Sequence, residues 1–240
     1  MLLSKRKSSF MLRRMEANGL SIEMNMDLLQ DFKKRSEMHW ARKIWHMCGV
    51  SALAFAYYYL SFFWSSIFLV ILWLLFVPID FLRLRSPVVN DLITHIFRPI
   101  MRTSEVKAIA GTSYLLTGVL CVSFVFPREI VLMTLLYLAF ADPMASVVGI
   151  RFGKDKIFGH KSVQGSAAAF VICAIITWAV LLYKGIMLDR LVIVSLLGGL
   201  IGAAAEAIPV GKLDDNFSIP VLSAGGLWLI FSIFGGFTTI

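Results

Sequence analysis

The chain has 240 residues, 58% of them hydrophobic and only 16% charged, with a net charge of +8. Soluble domains carry about a quarter charged residues, so this composition, with a mean hydropathy of +0.79, describes an integral membrane protein. It excludes a disulfide framework, because the three cysteines lie inside apolar runs, and it excludes nucleic acid as a partner, because the basic residues are not interleaved with aromatics on a soluble face.

Residues 1–43 are polar and basic, and no apolar core follows Lys5, Arg6 and Lys7 closely enough for a cleavable signal peptide. Within them, 26–40 can form an interfacial helix with Leu28, Leu29 and Phe32 on one side, or lie as a basic tail against anionic lipid. Seven runs then reach the length that crosses a bilayer as a helix: 44–60, 62–81, 108–126, 130–149, 165–183, 191–209 and 219–237. They lack the strict alternation of barrel strands. The expectation is an all-α polytopic bundle of about seven spans. The expected layout is a basic N-terminal segment (1–43) followed by a transmembrane domain (44–240) that would carry any site.

With the N-terminus placed inside, twenty of the 23 Lys and Arg fall on inside segments. The positive-inside rule therefore puts the N-terminus and the connections after spans two, four and six in the cytoplasm. Those are the connections rich in polar residues. The compact chain fits a bacterial inner membrane.

Asp142 lies in span four, followed by Pro143, and an ionisable residue at membrane depth marks function by default. Asp142, Ser146, Gly149 and Gly153 step by four, three and four residues, which on a continuing helix is one small, polar face. Lys154 and Lys161 follow. "GIRFGKD" is one residue short of a Walker loop, has Asp155 where Ser or Thr is needed, and does not follow a strand. "KSVQGS" (161–166) opens span five. Its N-terminal N–H groups, capped by Ser162 or Ser166 and flanked by lysines, suit a phosphate. Glu206 ends span six, and Asp214, Asp215 and Asn216 follow. Oxygen ligands of this kind suit a hard cation such as Mg²⁺. Carboxylates for a metal and cations for phosphates are what phosphoryl transfer uses. At the edge of span one, Arg42 and His46 share a helix face beside Lys43, and Glu105 sits at the same level. The small residues of span six, with Gly198 and Gly202 four apart, read as helix packing.

These pieces together carry a resemblance. "RKIWH" (42–46), Glu105 with "GTSY" (111–114), "ADPMASVVGIRFGK" (141–154), "HKSVQGSAAAF" (160–170), and Glu206 through Pro220 resemble the dolichol kinase, phytol kinase and CTP-dependent diacylglycerol kinase family, within the wider phosphatidate cytidylyltransferase-like group. The resemblance covers most of the chain. It implies transfer of the γ-phosphate of CTP to a membrane lipid alcohol (a polyprenol, a phytol-like alcohol or diacylglycerol) at the cytoplasmic face, with Mg²⁺ or another divalent cation.

By motif it implies Asp142 and Lys161 as catalytic residues, and Ser146, Gly149, Gly153, Lys154, Ser162, Gly165 and Ser166 as the nucleotide site. Asp142, Glu206, Asp214 and Asp215 would serve the metal. Arg42, Lys43, His46, Glu105 and Asn216 would support the lipid headgroup. The chain departs from the family pattern at Ala141, where Gly is common, and at Gln164, where Glu is common. Two other functions stay open on the sequence: a cytidylyltransferase making a CDP-lipid, and an ion-coupled transporter. The long C-terminal signature of the first is absent. The second prefers acids at the bilayer centre rather than at helix ends.

Overall fold

The computed structural model describes residues 38–237 except His160 and Lys212. The expected interfacial helix over 26–40 lies almost wholly outside them. Helix α1 (Trp40–Tyr59) is followed by α2 (Phe62–Arg85), the short α3 (Pro87–Phe97) and a 3₁₀ turn (Thr103–Lys107). Next come α4 (Gly111–Val125), α5 (Arg128–Leu136), a π turn (Tyr137–Ala141) and α6 (Asp142–Phe152). A small hairpin of β1 (Lys156–Phe158) and β2 (Lys161–Ser162) leads into α7 (Val163–Lys184). The chain closes with α8 (Leu191–Ala207) and α9 (Asp215–Phe234).

Every expected apolar run is helical. Among the described residues, five helices are long and apolar enough to cross a membrane. The other two deviate for visible reasons. The α1 helix carries Arg42, Lys43 and His46 in its first two turns, and α4 has 15 residues because Gly111 begins it only after the polar 3₁₀ turn. Helix α3 was not expected; Ser86 in extended conformation breaks the chain after α2, and Pro87 restarts it at the first helical position.

The bundle is built around the α5–π–α6 element. Its apolar window is 61% buried, against 17% for α2, so the first is a central strut and the second faces lipid on most of its circumference. Tyr137, Leu138 and Ala139 are fully buried at its middle. On one side α7 and α8 pack closely. A side chain on Gly202 would strike Cys173 of α7, and one on Gly199 would come within 2.8 Å of the Phe170 carbonyl. The glycines of α8 are therefore packing residues, as their spacing suggests. All three cysteines are free thiols.

Local signals set the ends of these elements. Arg128 donates to the carbonyls of Tyr57, Tyr58 and Leu60, which α1 leaves unpaired at its C-terminus. Ser162 accepts from the Gly165 amide at 3.2 Å and caps α7. Gly185, with φ of +68°, ends it in the left-handed conformation that glycine adopts without strain. Asp214 accepts from the Asn216 amide at 3.0 Å and caps α9.

Candidate active site

One end of the central strut meets the N-termini of α7 and α9 and the first turns of α1. They enclose a polar chamber of about 100 Å³. Of the residues singled out in the sequence, Arg42, Lys43, His46, Asp142, Ser146, Gly149, Lys161, Ser162, Gly165, Glu206, Asp214, Asp215 and Asn216 line it. Four others do not. Lys154 is exposed, and its amide donates to Gln164 Oε1 at 3.1 Å. Gly153 packs against Ser162, where a side chain would come within 2.8 Å of the Ser162 Cβ. Ser166 stands behind Glu206, its hydroxyl 3.5 Å from Oε2. Glu105 lies behind Arg42.

Asp142 owes its place to an irregularity in the helix. A π turn immediately precedes it, and such turns are common at functional sites. In the i→i+5 register the Leu138 carbonyl faces Pro143, which has no N–H to give. His46 Nε2 lies 3.0 Å from that carbonyl oxygen and supplies the missing donor. A carbonyl can only accept, so the proton sits on Nε2 and the tautomer of His46 is set. Pro143 thus ties α1 to the strut beside Asp142.

Lys161 projects from the hairpin between two acids. Its Nζ is 2.7 Å from Glu206 Oε1 and 3.0 Å from Asp215 Oδ2. Burial pulls its ammonium down, but the charges of Asp215, Asp142 and Glu206 outweigh this and hold it above the ordinary lysine range. Asp214 Oδ1 accepts from both the amide and the side-chain Nδ2 of Asn216, at 3.0 and 2.7 Å.

Two groups stand apart from this pairing. Lys43 donates to Ser146 Oγ at 2.6 Å and has no carboxylate at ion-pair distance among the described residues. The Asp142 carboxylate has no hydrogen bond or ion pair among them, although His46, Lys161, Arg102 and Lys43 all act on it electrostatically. Among the described residues the chamber therefore holds a cation, Lys43, with no carboxylate against it, and a carboxylate, Asp142, with neither a hydrogen bond nor an ion pair.

No group of three or more His, Cys, Asp and Glu side chains is placed to hold a metal ion among the described residues. Glu206 and Asp215 are engaged by Lys161, and Asp214 by the helix cap. Those contacts use one oxygen of each acid, and one or two carboxylates joined by phosphate oxygens are a donor set of the kind Mg²⁺ takes.

Glycines bring α6 onto α7. A side chain on Gly165 would come within 2.8 Å of the Ala145 carbonyl and 3.4 Å of the Gly149 Cα. Gly149 and Gly165 therefore let two backbones meet at the chamber wall.

Sequence reasoning missed four residues. Arg102 and His39 line the chamber. Asp80 and Arg83 form a buried pair at 2.6 Å near the end of α2. Arg83 also donates to the carbonyls of Glu105 and Ala108, at 3.0 and 2.6 Å, while Asp80 accepts from Ser113 Oγ at 2.7 Å and the Ala110 amide at 2.8 Å. This pair pins α2 to the 3₁₀ turn and to the start of α4. The signal was present: an acid and a base three apart in an apolar run are an ion pair on one helix face.

The fold and site define a polytopic helical membrane protein with a polar, charge-bearing chamber at one end of its bundle. Over 164 residues, 63% of this chain, it is 40% identical to the CTP-dependent diacylglycerol kinase 1 of Schizosaccharomyces pombe, covering 74% of that protein. The proteins of the same name from Eremothecium gossypii and Saccharomyces cerevisiae are 33% and 29% identical, and the chain spans 52% and 57% of their lengths. An uncharacterised protein of Rickettsia prowazekii is 30% identical over 200 residues, 91% of its length. The chain belongs to the CTP-dependent diacylglycerol kinase family. No family model and no solved structure matches it.

Proposed function

We propose that this protein transfers the γ-phosphate of CTP to the hydroxyl of a membrane lipid alcohol, diacylglycerol being the acceptor that the names of its relatives support. The observation that carries the reading is the chamber itself: Lys43, bonded there only to uncharged oxygens, and Asp142, with no hydrogen bond or ion pair among the described residues, stand in it with Arg42, Arg102 and Lys161. The triphosphate takes the cations and the reacting hydroxyl lies by the carboxylate. The bias of Lys and Arg supports a chamber facing the cytoplasm, where CTP is.

In the reaction a bond forms between the lipid oxygen and the γ-phosphorus, the bond from that phosphorus to the β-bridging oxygen breaks, and CDP leaves. Catalysis of this kind is positioning and charge neutralisation. Lys43, Arg42 and Lys161 hold phosphate oxygens, and the capped N-terminus of α7 adds its amide dipoles. Asp142 takes the hydroxyl proton as the lipid oxygen bonds to phosphorus, and the same carboxylate would hold a divalent cation; either role needs its charge. The cation, when bound, supplies neutralisation of the developing phosphate charge.

The test uses purified protein, Mg²⁺, diacylglycerol vesicles and CTP labelled at the α or the γ position. Label entering lipid from the γ position alone is the expected result. Label entering from the α position, with pyrophosphate released, would mean a CDP-lipid product and sink the kinase reading.

A further inference from the structure

A second cleft, of about 450 Å³, adjoins the chamber and shares Arg42, His46 and Asn216 with it. Its volume falls within the range of sites that enclose small molecules, roughly 300–1,000 Å³. Its walls come from α1, α2, α3 and α4. Away from the shared residues they are carbon: Leu53, Leu72, Phe76, Ile79 and Ile93 among them. The other charged side chains that line it, Asp80, Arg83 and Glu105, are spent on hydrogen bonds within the protein. A ligand with its polar end among Arg42, His46 and Asn216 therefore has an apolar remainder.

Helix α3 says which medium supplies that ligand. Ile93 and Phe97 face the cleft, whereas Val88, Leu92 and Ile96, four residues apart, are exposed on another side. A helix apolar on both sides belongs in lipid rather than water. Its neighbour α2 likewise exposes Ile71, Leu74 and Leu82, none of which lines the cleft. The cleft is thus walled by helices that stand in hydrocarbon, and it ends at the chamber.

We propose that this cleft is the acceptor site, in which an acyl chain of diacylglycerol lies so that the free hydroxyl meets the chamber at Arg42, His46 and Asn216. The proposal rests on the kinase reading above. It places the lipid between α1 and α4, on the far side of the shared residues from Lys161 and the start of α7, so that acceptor and nucleotide approach Asp142 from different directions.

Gly49 offers a clean probe. It lines the cleft, and a Cβ added there meets nothing within 4 Å. A Cβ at this position has open space, so Gly49→Phe places a ring at the cleft wall from an unstrained attachment point, and it removes a glycine that a helix disfavours. The full chain, in nanodiscs, is irradiated with a diacylglycerol carrying a photoactivatable diazirine on one acyl chain, with no CTP present, and the labelled peptides are mapped.

Label on α1 to α4 that falls sharply in Gly49→Phe is the expected result. In turnover, Gly49→Phe raises the KM for diacylglycerol about tenfold and leaves that for CTP unchanged, the pattern of lost acceptor binding. Label confined to α7 or α8, or equal labelling of variant and wild type, overturns the assignment. The cross-link does not depend on phosphoryl transfer. Cleft labelling without γ-phosphate transfer would end the kinase reading and keep the lipid site; transfer with labelling elsewhere would do the reverse.

Discussion

Arg42 and Glu105 meet as two parallel hydrogen bonds across 63 residues of sequence, Nη1 to Oε2 at 2.6 Å and Nη2 to Oε1 at 2.8 Å. Glu105 also accepts from the amides of Arg102 and Gly111, at 2.9 and 3.0 Å. One carboxylate thereby orients a chamber arginine, closes the 3₁₀ turn and holds the first residue of α4.

This arrangement sets a pH dependence. Burial alone would raise the Glu105 carboxyl, but the hydrogen bonds and charge of Arg42, with the two amides, hold it below the usual carboxylate range. A group depressed on folding contributes stability that is present above its unfolded value, about 4.3, and lost as pH falls through its folded value. Glu105→Gln keeps the shape and loses the charge, at a cost on the order of 1–3 kcal/mol. Thermal unfolding in detergent at pH 7 and again at low pH measures it: the gap between wild type and variant is widest at pH 7 and closes in acid. A gap that stays constant with pH would mean that the charge of Glu105 does not matter.

Asp142→Asn removes a charge that has neither a hydrogen bond nor an ion pair among the described residues. Turnover falls by about 10³-fold or more, within the span expected for a lost acid–base or charge-placing group, and helix content by circular dichroism is unchanged. Near-wild-type activity in this variant would take Asp142 out of the mechanism.

Lys161 is held above the ordinary lysine range, so its charge is complete through neutral pH. A raised base contributes stability that is fully present below its unfolded value, about 10.4, and lost as pH rises through its folded value. Between pH 6 and 9 Lys161 adds no inflection to the pH–rate profile. Lys161→Met leaves Glu206 and Asp215 facing each other and lowers activity about 100-fold or more, whereas Lys161→Arg, which keeps the charge, recovers part of it. Equal loss in both variants would point to shape rather than charge.

The Asp80–Arg83 pair is structural. Arg83→Met strands a buried carboxylate and releases the carbonyls of Glu105 and Ala108, and such a break costs about 3–5 kcal/mol. Adding Asp80→Asn to it restores part of the melting temperature, because the stranded charge is gone. The double-mutant cycle from thermal unfolding gives the coupling directly. Additive losses would mean the two side chains act independently.

The apolar runs placed every long helix, because burying a helix in hydrocarbon demands the same residue types whatever its neighbours are. The four-three-four spacing put Asp142, Ser146 and Gly149 on one face. Ser162 was legible as a residue that favours a helix start, because a cap is a bond to an amide two or three residues away; Asp214, read in sequence as a metal ligand, caps α9 in the same way. The sequence by itself thus determined the class of the protein, its helices and most residues that gather at one end.

Tertiary structure decided how those residues divide their work. Glu206 and Asp215 look like metal ligands in sequence, and the hairpin brings Lys161 across from another element against one oxygen of each. Lys154 carries the same charge as Lys161 and lies outside the chamber, because the chain turns between them. Arg42 finds Glu105, and His46 finds the carbonyl that Pro143 leaves without a donor, only when α1 packs beside elements far along the chain. The same holds for the apolar cleft, whose walls come from four helices. Local bonds are written in residue spacing, whereas which charges end up paired and which stay available depends on contacts across the whole bundle.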